Sequence, residues 1–568
     1  MFHNGLRAGL LATTLLTAAS VHAHDSAVPT ELKQFGGLPH AAATEWPDSA
    51  APLWGNLGSL SFPLTTKNAD VQRYFNEGLA LAYGFNHAEA RRSFRTAQSL
   101  DPNCAICFWG EALVLGPNIN APMAASAVQP ALEALEQAQA RATGASEREQ
   151  ALIEALSARY SADPAADRAT LDQAYAQAMQ KVAERFPEDL DIAVLYAEAL
   201  MDLSPWNYWA GGGTTAKGRT GEIVSTLERV LAANPEHLGA IHFYIHAVEA
   251  SNRPERAEPY ADRLAKQQLG AGHLVHMPSH IYFRLGRYRD ALQLNKAAVA
   301  ADEAYLARVQ AEGIYPGGYY PHNIHFLLVS AQMAGDGPTA IEAAEKLKRT
   351  VTVESALAMP AFVQPIKAAP IFAHAQFSEP DVVLALPAPS ASLPYVKAMW
   401  HYARGVALSA KGDMSPAQGE ADAIAQLVET ADFTPLTSAG VPATEVLNLA
   451  RHIVLARTAQ ASGNLQGAIK EFEAAAAIED KLPYMEPPYW YYPVQQSLGA
   501  VLLLAGQTER AAEVFRASLT AAPNNGWACF GLAQVYKRQG DADKAAELEA
   551  RLDRTWAGKR ELLDLSRL

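Results

Sequence analysis

The sequence predicts an all-α chain of paired helices stacked into a solenoid. Three observations carry that expectation. From Asp70 onward, runs of about 10 to 16 residues rich in Ala, Leu and Glu are broken by Gly, Pro or Asn. No alternating apolar and polar stretch of strand length stands out. Small and aromatic residues also recur with a period of about 34 residues, the mark of a repeat array. A chain of 568 residues is too long for one core, so several units must share the burial.

In chain order, Arg7, the apolar run Ala8–Ala19 and the small-x-small site Val21-His22-Ala23 make residues 1–23 a secretory signal peptide. That run is too short to span a bilayer, and no later run reaches about 18 uninterrupted apolar residues. The expectation is an exported soluble protein with no membrane span, periplasmic in a Gram-negative cell and secreted otherwise. Cleavage after Ala23 would leave His24 first, and an N-terminal amine and ring can bind copper, although a mobile tail is the simpler reading. Residues 24–68 are rich in Pro, Gly and Ala and form an extended segment around Trp54-Gly55-Asn56-Leu57-Gly58. Residues 69–395 form a histidine-rich helical domain, and residues 396–568 a C-terminal helical domain. Cys104 and Cys107 open a helix in an all-helical context, which suits a local disulfide or two buried thiols better than redox chemistry. With 46 Lys and Arg against 60 Asp and Glu, the charge of −14 argues against a nucleic-acid partner.

The repeat has a definite code. Gly78 is followed by Leu81, Ala90, Phe94, Ala97 and Pro102, and Gly499 by Leu502, Ala511, Phe515 and Pro523 at the same spacings. Ala456, Ala468, Phe472 and Ala475 repeat much of it, and Ala533, Tyr536 and Ala545 begin another round. Small residues let two helices approach, and the aromatic fills the gap between units. The pattern resembles the tetratricopeptide repeat, most closely at 71–104 and 492–560, less so at 398–481, and in degenerate form between 150 and 350. The resemblance implies helix-turn-helix units in a right-handed superhelix with a concave face that binds peptides or proteins. The chain also resembles exported bacterial tetratricopeptide proteins with a histidine-rich middle, which implies a fold and a cellular address but no reaction.

The middle carries the chemistry. His242, His246, His273, His276, His280, His322 and His325 are seven of 16 histidines, where an even spread would place about two. Ala257, Ala291 and Ala340 as openers of each second helix start the repeats near Leu238, Gly272 and Pro321. The histidines then fall at positions five and nine, two, five and nine, and two and five. The resemblance implies that these positions face the concave groove. Spacings of three and four residues set two rings on one ion, and neutral imidazoles suit copper or zinc. Pro278 and Tyr319-Tyr320-Pro321 push His273, His276 and His322 toward loops, leaving His246, His280 and His325 best placed. Glu249, three residues after His246, joins the face as a supporting carboxylate or general base. Tyr319 or Tyr320 would line a substrate pocket. A lone buried histidine is usually a hydrogen-bonded core residue, and His237, His374, His401 and His452 are read that way.

The remaining signals are weaker. Gly213–Thr220 resembles a phosphate loop but lacks the preceding strand, so it reads as a loop after Trp206-Asn207-Tyr208-Trp209. Those aromatics would line a groove mouth or cap the core. The long connection Gly116–Met123 is placed to fold toward the groove, and Glu486–Pro493 reads as a rigid wedge. No Ser/His/Asp triad or carboxylate pair stands out. The expected function is a metalloprotein, a copper-dependent oxidoreductase or, with zinc, a hydrolase working through metal-activated water on a small molecule or peptide. The alternatives are a non-catalytic scaffold for peptides or envelope proteins, and a metal storage or delivery protein.

Overall fold

Helices α1 (Ala69–Tyr83), α2 (His87–Leu100) and α3 (Ala105–Leu115) show the packing rule of the molecule. Asn68 and Asn86 cap α1 and α2 through their side chains, accepting from the amides of Asp70 and Glu89. Phe94 of α2 then slots between Gly78 of α1 and Gly110 of α3. A Cβ on either glycine would stand 2.8 or 2.6 Å from the Phe94 ring, so only glycine admits it. Phe515, in the helix Thr508–Ala521, sits in the same way against Gly499 and Gly531. The small-aromatic code is therefore an interhelical slot, used at both ends of the chain.

The computed structural model describes residues 50–311 and 313–568; the stretch expected to be a secretory signal, His24 and the first part of the extended segment lie outside them. The described part of that segment is docked on the body. Glu77 accepts from the Trp54 and Gly55 amides at 2.8 Å each, and Tyr74 donates to the Ala51 carbonyl.

The middle of the chain is carried by α4 (Leu238–Val248), α5 (Gly272–His276), α6 (Pro278–Arg284), α7 (Tyr288–Arg308) and α8 (Tyr320–Ala334). Met277 joins α5 to α6 with helical backbone angles, φ −51° and ψ −40°. Pro278 occupies the first position of α6, where its missing N–H is no loss. This corrects the placement of His273 and His276 on an entering loop: both are helical. Tyr315–Tyr319 forms a π-helical turn leading into α8, so His322 lies in the first turn of that helix. Gly272 lets α5 close on α7, because a Cβ there would fall inside the Asp302 carboxylate.

Buried apolar residues group into two cores, Leu57 to Tyr319 and Phe283 to Leu568, which interleave at the histidine-bearing helices. The sequence division at 395/396 leaves no break in this packing, because each helix pair buries the next. The C-terminal turns also fold back on the centre. Ala557 donates to the Ala334 carbonyl at 2.8 Å, and Asn524 to the Gly286 carbonyl at 3.2 Å. Trp209–Ala210 and Thr215–Ala216 make a short antiparallel hairpin that the sequence pattern did not reveal. Cys104 and Cys107 are joined as a disulfide, and Cys529 is a buried thiol. Among the described residues no helix is long and apolar enough to cross a membrane.

Gly110→Val should lower stability by about 1–3 kcal/mol, read as a fall in thermal midpoint, because the Phe94 slot cannot take the added carbons. Gly144→Ala, with open space around the added carbon, should stay within about 0.5 kcal/mol of the parent. Equal midpoints for the two variants would show that the slot is not the packing rule.

Candidate metal centre

Six of the seven histidines come together as two triads. His242 and His246 project from one face of α4, a turn apart, and meet His273 from α5. The ring nitrogens they offer lie within 4.8 Å of one another, and those of His276, His280 and His322 do the same. The triads adjoin, with ring centroids 5.5 Å apart for His246 and His280 and 5.9 Å for His273 and His276. All six are buried, and His322 is the most accessible at 8%. The triads lie in the interior, where the sequence led us to expect an open concave face.

The partners of the Nδ1 atoms decide which nitrogen carries a lone pair. His242 Nδ1 meets the Tyr83 carbonyl, left open where α1 ends. His246 Nδ1 and His280 Nδ1 meet the two oxygens of Glu249 at 2.7 and 2.6 Å. His276 Nδ1 meets Asn295 Oδ1 at 2.7 Å, and the amide is oriented by its own donation to the Ala291 carbonyl. Each of these partners accepts, so each Nδ1 donates, and the lone pairs are assigned to Nε2. The Nε2 atoms of His242 and His246 and both nitrogens of His273 are buried without a hydrogen-bond partner. The Nε2 atoms of His276 and His280 face one another at 2.8 Å, which requires one cation, a proton or a metal, between two lone pairs. Histidines fixed through Nδ1 by an acceptor, with converging Nε2 lone pairs, are arranged as metal ligands.

Electrostatics point the same way. Burial, and then the neighbouring imidazoles, hold His242, His273, His276 and His322 well below the ordinary histidine range. His246 is lowered by burial, partly offset by Glu249. His280 goes up, because the Glu249 carboxylate outweighs the burial cost. Burial pushes Glu249 up, but the His280 charge and two imidazole donors outweigh it and hold the carboxyl well below its usual range. Neutral imidazole is the form a metal binds.

Aromatic rings close the site. Phe85 lies 4.6 Å from the His242 ring and 5.6 Å from that of His273. Phe326 lies 4.6, 4.7 and 5.1 Å from His276, His280 and His322. Trp206 stands edge-on to His246 at 5.0 Å, its indole N–H donating to Asn120 Oδ1 at 3.0 Å. Connection 116–123 thus holds an aromatic over the first triad. Phe85 and Trp206 both have positive φ, +56° and +61°, an uncommon region for bulky side chains that collects at functional sites. From the far half of the chain, the Tyr484 hydroxyl reaches Glu249 at 3.3 Å and Glu486 at 2.6 Å. Burial and the Glu249 charge push Glu486 up to about 7.

Three expectations change. His325 belongs to neither triad; it faces the Tyr491 hydroxyl at 2.6 Å, because the first turn of α8 is the one directed at α6. Tyr320 is half-buried and donates outward to Glu303, one residue of helix rotation away from the site. Its neighbour Tyr319 is the one that packs on His273, at 4.8 Å. Glu249 sits behind the imidazoles with both oxygens engaged, so it orients ligands and has no lone pair placed to act as a general base. Asp302 accepts from Tyr315 and Asn323, tying α7 to α8. The histidines read as structural hold conventional partners: His237 caps α4, and His374, His401 and His452 meet Ser378, Glu420 and Glu471.

The phosphate-loop-like stretch forms part of the short hairpin. Gly213 packs on the Ser251–Asn252 backbone, and Arg219 is engaged by Glu222 and Tyr196. Sequence reasoning missed Phe85, Asn295 and Phe326, which only the fold brings to the triads.

Residues 502–555 match the family model of the tetratricopeptide repeat. No curated protein matches the chain. Among solved structures, the human IFIT1 dimer with PPP-AAAA is similar at 13% identity and TM-score 0.32, covering 86% of this chain and 91% of that one. Yeast Tom70 is similar at 12% and 0.30, covering 87% and 94%, and the P58(IPK) TPR domain at 13% and 0.20, covering 87% and 95%. With the repeat geometry described above, the chain is a tetratricopeptide-type helical-repeat protein.

Burial also sets a pH dependence. An unfolded chain protonates its histidines near 6.5, whereas His325 in the fold is pushed down to about 3 and the five other lowered rings shift the same way. The unfolded state then binds more protons, so stability is lost as pH falls below about 6.5 toward the folded-state values. His280 and the buried carboxyls of Glu486, Asp302 and Glu479, raised to about 7, 7 and 8, work in the opposite sense, and the six lowered rings outnumber them. The thermal midpoint of metal-free protein should fall between pH 7 and pH 5 in scanning calorimetry. A flat profile would mean that the rings are already solvated.

Proposed function

We propose that this chain is an exported copper protein whose two histidine triads form a dinuclear centre for dioxygen-dependent oxidation. The observation that carries the reading is the pair of adjoining three-imidazole sites, in which His242, His246, His276 and His280 have their Nδ1 atoms tied back and their Nε2 lone pairs turned inward. Charge favours copper over zinc. The cost of burying an ion rises with the square of its charge, and the donors in both triads are neutral. Two cuprous ions bring the same total charge as one zinc ion, set against Glu249. Imidazole suits both metals, and copper heads the divalent affinity order. A zinc hydrolase would also need a base facing the metal-bound water, and Glu249 is committed behind the rings. A pair of one-electron metals side by side suits the two-electron reduction of dioxygen. The disulfide and the signal-like first 23 residues support an oxidising compartment. A second reading, storage or delivery of copper, is favoured by the closure of the site.

The mature protein, loaded with equimolar copper and zinc, should retain two copper ions per chain and leave zinc in solution. Fewer than about 0.3 equivalents of copper would sink both readings, since a pre-formed multi-histidine site binds tightly. His246→Ala and His280→Ala should each lose copper. Glu249→Gln should keep the fold and weaken copper binding about 10–100-fold, as outer-shell partners do. Dioxygen uptake with a phenolic reductant separates the enzyme from the store.

A further inference from the structure

A file of oxidisable rings leads from the first triad to the protein surface. The Tyr319 ring lies 4.8 Å from His273, and Tyr315 lies 5.7 Å from Tyr319. Tyr305 lies 5.3 Å from Tyr315, and Trp54 lies 5.4 Å from Tyr305. The three tyrosines are buried, while Trp54 is half-buried under the exposed guanidinium of Arg308, 4.4 Å from its ring centre. The Glu77 carboxylate pins the Trp54 backbone in place. A tyrosine gives up an electron readily only when its phenolic proton has somewhere to go. Tyr315 donates to Asp302 Oδ1 at 2.8 Å; the Glu89 carboxylate, paired with Arg92 at 2.8 Å, lends negative charge to the neighbourhood of Tyr305 and Trp54, whose hydroxyl and indole N–H are buried without a hydrogen-bond partner. At the second triad the ring packed on all three histidines is Phe326, which resists oxidation, and Tyr484 meets His280 only through the shared Glu249 carboxylate. Trp206 touches His246, but its N–H is held by the Asn120 amide, which cannot take a proton.

We propose that Trp54, Tyr305, Tyr315 and Tyr319 form an electron relay from a one-electron donor at the surface beside Arg308 to the metal centre; this rests on the copper reading above. With hydrogen peroxide, the product of two-electron reduction of dioxygen, as the oxidant, two electrons delivered to the centre and two protons drawn from solvent convert it to two waters. Each electron comes from Tyr315 across the Tyr319 ring, and the Tyr315 proton moves to Asp302. Tyr305 re-reduces Tyr315, which recovers its proton, and Trp54 re-reduces Tyr305 beside Glu89. The external donor then refills Trp54, losing one electron each time. The positive charge of Arg308 suits an anionic donor.

The test uses the copper-loaded full chain with hydrogen peroxide, a nitrone spin trap and peptide mapping, and separately with hexacyanoferrate(II) as donor. Without donor, the trap should label Trp54; with donor, labelling should disappear as hexacyanoferrate(III) forms. Tyr315→Phe and Tyr305→Phe should slow hexacyanoferrate(II) oxidation about tenfold or more, a barrier rise of roughly 1.4 kcal/mol, with two copper ions still bound. Trp54→Phe, a change near the surface, should do the same and covers the case in which a buried variant misfolds. Label on Trp206 in place of Trp54, or parental rates in all three copper-loaded variants, would overturn the relay and leave the copper reading standing. A parent chain that binds no copper would overturn both.

Discussion

A carboxylate with no exposure to water must be surrounded by donors, and Glu249 draws them from both histidine triads. Committing two Nδ1–H groups to one carboxylate turns both Nε2 atoms away from it and toward the neighbouring rings. Glu249 also follows the last residue of α4, where helix carbonyls lack partners. Arg284 supplies them, donating to the carbonyls of Glu249 and Ser251 at 2.7 and 3.1 Å. The same Arg284 stacks on Tyr484, whose hydroxyl returns to Glu249. One buried charge therefore orients two ligands, ends a helix and fastens the far half of the chain to the centre.

That fastening explains why the repeats differ in quality along the chain. Where a unit only has to pack on its neighbours, the Gly-Phe-Gly slot is kept, as at Phe94 and Phe515. In the middle the space between helices is filled by imidazoles, Phe85 and Phe326, so the small-aromatic code decays while the helix pairs remain. The solenoid then turns back on itself, with Pro523 against Gly286 and Ala557 against Ala334. Tyr489, Trp490 and Tyr491 are buried, with Trp490 and Tyr491 packed on Phe372 and Tyr491 also on His325.

Much of this was legible in the sequence because it is periodic. The helix pairs, the recurring small and aromatic residues and the nearness of Glu249 to His246 follow from spacing, and the alignment of histidines from neighbouring units follows from the resemblance to the tetratricopeptide repeat. Pro278 misled because a proline reads as a boundary, although the first position of a continuing helix tolerates it. His325 occupies the same repeat position as His242 and His276, yet α8 enters from a π-helical turn and offers its first turn to the site. Phe85 and Trp206 were invisible because nothing local marks a bulky residue that adopts positive φ; the strain is supported by contacts formed elsewhere. Tyr484 lies 235 residues from Glu249, beyond the reach of any local pattern.

Enclosure narrows what the centre can do. Phe85 and Phe326 pack on the triads, Trp206 is held over His246, and Tyr484 and Glu486 press on Glu249 from the opposite half. A peptide cannot lie along such a site, which weighs against the groove-binding scaffold at this position. Dioxygen, peroxide, protons and electrons are small enough to reach it. On the copper reading, a centre closed to bulky substrates needs a path for electrons more than a pocket. Asp302 at Tyr315 and Glu89 at Tyr305 and Trp54 lie along one line of rings, where burial makes each carboxylate costly. Asp302 places a proton acceptor on Tyr315, and Glu89, already paired with Arg92, adds negative charge near Tyr305 and Trp54.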